Sequence, residues 1–132
     1  MKTFKSLALI LAVVALGACA SKLNFPVSTV VPAADIVAKV STKNNNYMVD
    51  VTAKGLASAD RLAAMTNVYV VWVSIEGGAI RNLGQLMFQR NGNATLKTVV
   101  PFAFDQIIVT AEEAVNVQYP SAVEVSRVTV KM

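Results

Sequence analysis

The chain has 132 residues, of which 55% are hydrophobic and 15% are charged, and its formal net charge is +4. It contains no histidine, which excludes Ser-His-Asp and Cys-His catalysis, histidine general bases and histidine metal ligands. A single cysteine excludes an intramolecular disulfide, and basic residues scattered singly along the chain argue against a nucleic-acid partner.

The N-terminal segment has the parts of a bacterial export signal. Lys2 and Lys5 precede an apolar run over residues 7–16, and small residues ending in Ala18 then lead to Cys19. An apolar run of about ten residues is too short to cross a hydrocarbon layer of ~30 Å as a helix. The pattern therefore predicts a signal peptide over residues 1–18 that is cleaved off, which lowers the net charge from +4 to +2 by removing two lysines.

The position of the cysteine resembles the lipobox of bacterial lipoproteins. In that motif cleavage falls between Ala18 and Cys19, and the cysteine is diacylated to become the new N-terminus. Each buried methylene contributes about 0.8 kcal/mol, so several acyl chains on Cys19 are expected to anchor the protein to a membrane. The alternative is an ordinary A-x-A cleavage site over residues 18–20, which would release a soluble protein. Alanine at position 20 resembles lipoproteins sorted to the outer membrane, facing the periplasm.

The next segment, residues 19–34, is predicted to be a lipidated N-terminus with a short flexible tether. It contains Pro26 and Pro32 and has no helical periodicity. From residue 35 to residue 132 we expect one β domain. Its first two strands, over residues 36–41 and 47–54, alternate apolar and polar side chains and flank an asparagine-rich turn, which predicts an antiparallel hairpin.

Residues 68–75 are apolar on both faces and rich in β-branched and aromatic side chains, which predicts a central strand covered on both sides. The only segment with helical character is 58–65. Four further strands are predicted over residues 80–89, 94–100, 105–112 and 123–131. About seven short strands without a βαβ rhythm predict an all-β fold, an antiparallel immunoglobulin-like β-sandwich.

Part of the chain resembles the extracytoplasmic domain of anti-sigma-K factors. The matching motifs are Tyr-Val-Val-Trp-Val from residue 69, Gly-Gly at 77–78, Asn-Leu-Gly-Gln-Leu from residue 82, Phe-Asp-Gln-Ile-Ile-Val-Thr-Ala-Glu from residue 104 and Tyr-Pro-Ser from residue 119. The resemblance implies an immunoglobulin-like sandwich outside the cytoplasm for residues 68–125. The sigma-binding segment and the spanning helix of that family have no counterpart here, so its regulatory activity is not implied.

Several conspicuous side chains have structural interpretations. Tyr69 and Trp72 lie three positions apart on one strand and point to opposite faces, and both are predicted to be core aromatics, with Trp72 in the core of the sandwich. Glu112 and Glu113 are adjacent and also face apart, so they are predicted to be solvated carboxylates at a strand edge and not an acid-base pair.

These observations predict a protein that is not an enzyme and has no catalytic residues, metal site or cofactor. We expect a lipid-anchored envelope protein whose sandwich is a binding or sensing module for another envelope protein, through loops or an edge strand. The alternative is a periplasmic carrier of a small lipid or saccharide. The predicted contact regions are two exposed loops, one formed by Glu76, Gly77 and Gly78 and the other by Arg90, Asn91, Gly92 and Asn93.

Overall fold

The structure is a computed structural model that describes residues 20–63, 65–76 and 78–131, and these residues form nine strands. The strands are β1 (Ala20–Asn24), β2 (Asp35–Lys43), β3 (Asn46–Lys54), β4 (Val68–Ile75), β5 (Ala79–Gln85), β6 (Met87–Phe88), β7 (Ala94–Val100), β8 (Gln106–Glu112) and β9 (Glu124–Thr129). A short 3-10 helix spans Ala59–Arg61, within the segment predicted to have helical character. The predicted signal peptide, with its cleavage site at Ala18 and Cys19, lies outside the described residues.

The strands form two antiparallel sheets that pack face to face. One sheet has five strands in the order β1-β2-β3-β7-β6, and the other has four in the order β5-β4-β8-β9. The main core lies between them and is built from alternate side chains of both sheets, mostly valine, alanine and isoleucine. The predicted antiparallel all-β sandwich is confirmed, because strands with one apolar face can bury it only against another such face.

The β2–β3 hairpin shows how local sequence sets the register. Lys43 pairs with Asn46, which leaves Asn44 and Asn45 as the two turn residues. Both have positive φ, at 52° and 66°, the conformation that a tight type I′ turn requires and that asparagine tolerates well. The turn places Val49 and Val51 on the buried face of β3, so the predicted hairpin is confirmed.

The prediction of a flexible tether over residues 19–34 is wrong from residue 20 onward. β1 pairs with β2 along its whole length, and Phe25 continues the contact by donating its N–H to the Ile36 carbonyl at 3.0 Å. The Ser28 Oγ accepts the N–H of Val31 at 2.9 Å, and Val31 is buried in the core. The prolines flank a folded loop here, and the apolar pair Leu23 and Phe25, which packs on the core, was the signal for β1.

The segment predicted as one strand over residues 80–89 is divided between the two sheets. β5 pairs with β4, whereas β6 pairs with β7 in the other sheet. Gly84 has a φ of +127°, next to an irregularity in the β4–β5 register, and the buried Leu86 then donates its N–H to the Tyr69 carbonyl at 3.0 Å. A bulge of this kind bends a strand and lets it change sheets. This crossing, together with β1, raises the number of strands above the seven predicted.

The sandwich has two ends, which the strand connections define. The start of β1 at Ala20, the β2–β3 turn, the β4–β5 turn and the loop over residues 101–105 lie at one end, called here the proximal end. The Asp105 N–H donates to the Ser74 carbonyl at 2.8 Å, which joins this loop to the end of β4. The loops over residues 25–34 and 55–67 and the β6–β7 hairpin lie at the opposite, distal end.

Candidate interaction surfaces

The two predicted contact loops lie at opposite ends of the sandwich. Glu76 and Gly78 are exposed at the proximal end, and Gly77 is outside the described residues. The hairpin over residues 90–93 is at the distal end, where Arg90, Asn91 and Gly92 are exposed and Asn93 is half-buried. The two loops therefore do not form one contact surface.

Tyr69 and Trp72 are both buried, but on different faces of the four-stranded sheet. Tyr69 is 1% exposed and lies in the core between the sheets, whereas Trp72 is 0% exposed and packs with Val70 and Ile108 on the outer face. The prediction that both residues are buried core aromatics is confirmed, but Trp72 belongs to a second, outer core cluster and not to the core between the sheets. A strand that is apolar on both faces does not indicate which face meets the second sheet, and β4 is covered on its outer face by the loop over residues 113–123.

A chain of hydrogen bonds runs through this outer cluster. The Trp72 Nε1–H donates to Thr110 Oγ1 at 2.8 Å, and the Thr110 hydroxyl donates to Glu112 Oε2 at 2.5 Å. The same carboxylate oxygen accepts the Ser121 N–H at 2.8 Å. Asn82 holds the other part of the loop, because its Nδ2 donates to two carbonyls in residues 115–117, at 2.8 and 2.9 Å. The loop is thus fixed over the sheet at both ends.

The prediction of two solvated carboxylates is correct for Glu113 and wrong for Glu112. Glu113 is exposed, whereas Glu112 is only 3% exposed. Its burial follows from the loop that folds back over the outer face, which alternation within a strand does not predict. Because its oxygen is already engaged by Thr110 and Ser121, we interpret Glu112 as the acceptor that holds this loop in place.

Burial also changes the acidity of Tyr69. Burial, and secondarily the charge of Asp60, raises the pKa of Tyr69 from 10.0 to about 12, and its hydroxyl donates to the Ala57 carbonyl at 2.5 Å. The folded state holds this proton more tightly than the unfolded state. Stability from Tyr69 is therefore complete below pH 10 and is lost as the pH rises through 12.

The loss of this stability at high pH can be measured by urea unfolding. The wild-type chain and Tyr69→Phe are compared at about pH 9 and at about pH 11.5. We expect the wild-type free energy of unfolding to fall by about 2 kcal/mol more than that of Tyr69→Phe over this interval. All other side chains are common to both chains, so the difference between the two losses isolates Tyr69. Equal losses in the two chains would contradict this prediction.

Large apolar side chains are exposed at the distal end. They come from the loop over residues 25–34, the loop before β4 and strand β6, and their exposed fractions are Val27 77%, Val30 42%, Met65 68%, Met87 55% and Phe88 49%. The Phe88 ring lies 6.4 Å from that of Tyr69, so a buried side chain helps to position it. Met65 has a φ of 74°, which a bulky residue rarely adopts. We call these five residues the distal apolar patch.

A second surface is the outer face of the five-stranded sheet. A cleft of about 310 Å³ crosses it, and its lining is polar apart from one valine: Lys22, Asn24, Asp35, Val37, Lys39, Asp50, Thr52 and Lys54. The Lys97 Nζ lies 3.9 Å from Asp50 Oδ2, and the two side chains are 70% and 38% exposed, so this long ion pair contributes little to stability.

Within residues 20–63, 65–76 and 78–131, no three cysteine or acidic side chains are grouped as a metal site would need. The same part of the chain contains no helix with the length and hydrophobicity needed to cross a bilayer. The cleft on the five-stranded sheet opens on the surface, while buried side chains of the described residues pack between the sheets. The arrangement thus offers contact surfaces, with the distal apolar patch and the lysine-lined sheet face as the main candidates.

The comparisons with known proteins leave the resemblance to anti-sigma-K factors as a prediction. No family model, no curated protein and no solved structure matches this chain.

Proposed function

We propose that this chain is a lipid-anchored protein of the bacterial envelope whose sandwich is a non-catalytic module that binds another envelope protein through the distal apolar patch. The observation that carries the proposal is the placement of this patch at the end of the fold opposite Ala20. Ala20 directly follows the expected lipidation site, so acylation of Cys19 would hold the proximal end at the membrane. The patch would then remain accessible to a partner.

The exposure of the patch supports a contact role. Val27 and Met65 expose 77% and 68% of their surface, although both are apolar and neighbouring residues of the same loops are buried. The five large apolar side chains come from three separate segments at the same end of the fold, and exposed apolar side chains of this kind are a feature of protein contact sites. Loops at one end of a rigid sandwich are also a common position for contact residues.

The proposed location of the protein rests on the sequence of the predicted signal peptide and of the residues that follow it. Cleavage before Cys19 would place the sandwich outside the cytoplasm, and alanine at position 20 favours the outer membrane, with the domain facing the periplasm. The resemblance of residues 68–125 to an extracytoplasmic sandwich supports the same side of the membrane. Partner identity is left to experiment.

The proposal is tested by expressing the full chain in bacteria with an alkyne fatty acid. We expect the wild-type protein to incorporate the label and to fractionate with membranes, and we expect Cys19→Ala to incorporate none. The binding role is tested in the same cells by chemical cross-linking to envelope proteins. The informative variant is Val27→Asp with Met65→Asp, which places charges in the distal apolar patch.

The matched control is Val115→Asp with Tyr119→Asp, two apolar residues exposed by 38% and 82% outside the patch. We expect the patch variant to lose its main cross-linked product by about tenfold or more, while the control retains it. An unlabelled wild-type protein would contradict the anchor. Equal cross-linking of both variants would contradict the role of the patch.

A further inference from the structure

The lysines in the described part of the chain are concentrated on one face of the fold. Five of the six lysines in the described residues lie at outward positions of the five-stranded sheet, whereas none of the four described arginines does. These outward lysines, called the lysine face, are Lys22 in β1, Lys39 and Lys43 in β2, Lys54 in β3 and Lys97 in β7. Their neighbours along each strand point into the core.

The lysine face carries a net positive charge that the rest of the domain lacks. Asp35 and Asp50 are the acidic residues at outward positions of this sheet, so five lysines and two aspartates give +3. The other described residues carry five basic and six acidic side chains, which gives −1. The charge of the domain is therefore strongly asymmetric.

The register places some of these charges unfavourably for folding. Lys22 lies directly opposite Lys39, which is a like-charge pair. Lys39 also lies opposite Asp50, Asp50 faces Lys97, and Lys54 lies opposite Asp35, which are opposite-charge pairs. Like charges in a direct cross-strand pair destabilise a sheet. Among the described residues, the only ion pair formed by the lysine face is the long contact between Lys97 and Asp50. The Lys22–Lys39 pair opposes stability, which points to a role for these lysines outside folding.

The lysine face is long enough to contact an extended anionic surface. β2 and β3 each have nine residues, so the face is about 30 Å long at ~3.3 Å per residue. Lysines occur from Lys43 at the proximal end to Lys54 at the distal end. Charges spread over this length fit a planar array of anions better than one small anionic ligand.

The first described residue lies on the same sheet. Ala20 is the first residue of β1, the edge strand beside β2, and it directly follows Cys19 in the sequence. If Cys19 is acylated, as the proposed function requires, no spacer separates the lipid from the sheet. The lysine face would then lie within reach of the headgroups at high effective concentration.

We propose that the lysine face docks on the anionic phospholipid headgroups of the membrane that holds the anchor, so that the sandwich lies on its side. Each lysine near an anionic bilayer favours binding by about fivefold. In this orientation the distal apolar patch points along the membrane surface. Its partner is then a protein that itself sits in or on the same membrane.

The test uses the full acylated protein in phosphatidylcholine vesicles with and without phosphatidylglycerol. Lysine reactivity toward an amine-specific reagent is followed residue by residue by mass spectrometry. At low salt we expect Lys39, Lys54 and Lys97 to react about threefold more slowly on the anionic vesicles, and we expect roughly 0.5 M salt to abolish the difference. Lys54 is decisive, because an upright domain would leave it far from the bilayer.

A triple variant tests whether docking depends on the charge of the lysine face. It combines Lys22→Gln, Lys39→Gln and Lys54→Gln. The matched control combines Arg61→Gln, Arg81→Gln and Arg90→Gln, which removes the same charge from other surfaces. We expect protection of Lys97 to disappear in the lysine variant and to persist in the arginine variant. The comparison of wild-type protein on the two vesicle types needs no variant to fold.

Flotation with the neutral vesicles separates the two proposals. A protein that does not float with them lacks the lipid anchor, whatever its lysines do. A protein that floats with both vesicle types but shows equal lysine reactivity on each would refute docking by the lysine face and leave the anchor intact.

Discussion

Trp72→Ala is expected to lower the free energy of unfolding by about 3–5 kcal/mol, the usual cost of removing a large buried aromatic side chain. Trp72 is 0% exposed and packs between Val70 and Ile108 under the loop over residues 113–123. The substitution leaves a cavity on the outer face of the sheet. It also removes the hydrogen bond of 2.8 Å that the indole N–H donates to Thr110 Oγ1. Urea unfolding followed by far-ultraviolet circular dichroism measures the loss.

Two variants separate packing from hydrogen bonding. Trp72→Phe keeps most of the ring volume and loses the indole N–H, so we expect a cost of about 1–2 kcal/mol. Tyr119→Ala removes an aromatic ring that is 82% exposed, and we expect a change within about 0.5 kcal/mol. A Trp72→Ala chain within 1 kcal/mol of wild type would mean that the outer cluster is not a second core.

The strands that the sequence predicts well are those with a regular apolar pattern. β2 and β3 bury alternate side chains and β8 is buried at all but its first residue, and their predicted positions agree with the structure to within a few residues. The position of β7 is also predicted well, although only its two end residues are fully buried. β1 was missed because its five residues include one lysine and two other polar side chains and are mostly exposed. Its stability comes from pairing with β2, a partner that periodicity does not identify.

Features that depend on how segments meet could be predicted only in part. The outward positions of Lys39 and Lys54 follow from alternation, but the row from Lys22 to Lys97 requires the strand order. The two faces of β4 look alike in sequence, so Trp72 was assigned to the wrong side. The distal apolar patch joins residues from three separate segments, and no local pattern links them.

Glu112 and Glu113 are adjacent in the sequence, but the first is buried and the second is exposed, so their substitution is expected to affect stability very differently. Glu112→Ala is expected to cost about 2–3 kcal/mol. The buried Thr110 hydroxyl loses its acceptor in a place that water reaches poorly, and the Ser121 N–H loses the hydrogen bond that ties the loop to β8. Glu113→Ala, one residue further and exposed, is expected to change stability by less than about 0.5 kcal/mol. Urea unfolding of the two variants beside wild type measures both values.

Glu112→Gln distinguishes loss of the acceptor from loss of side-chain volume. Its amide oxygen can occupy the position of Oε2 and accept both hydrogen bonds, so we expect it to restore stability to within about 1 kcal/mol of wild type. The Ser121 amide gives a local readout, because its hydrogen exchange should accelerate in Glu112→Ala and stay slow in Glu112→Gln. If Glu112→Ala exchanged this amide as slowly as wild type, the loop would be held by Asn82 and packing against Trp72 instead of by the buried carboxylate.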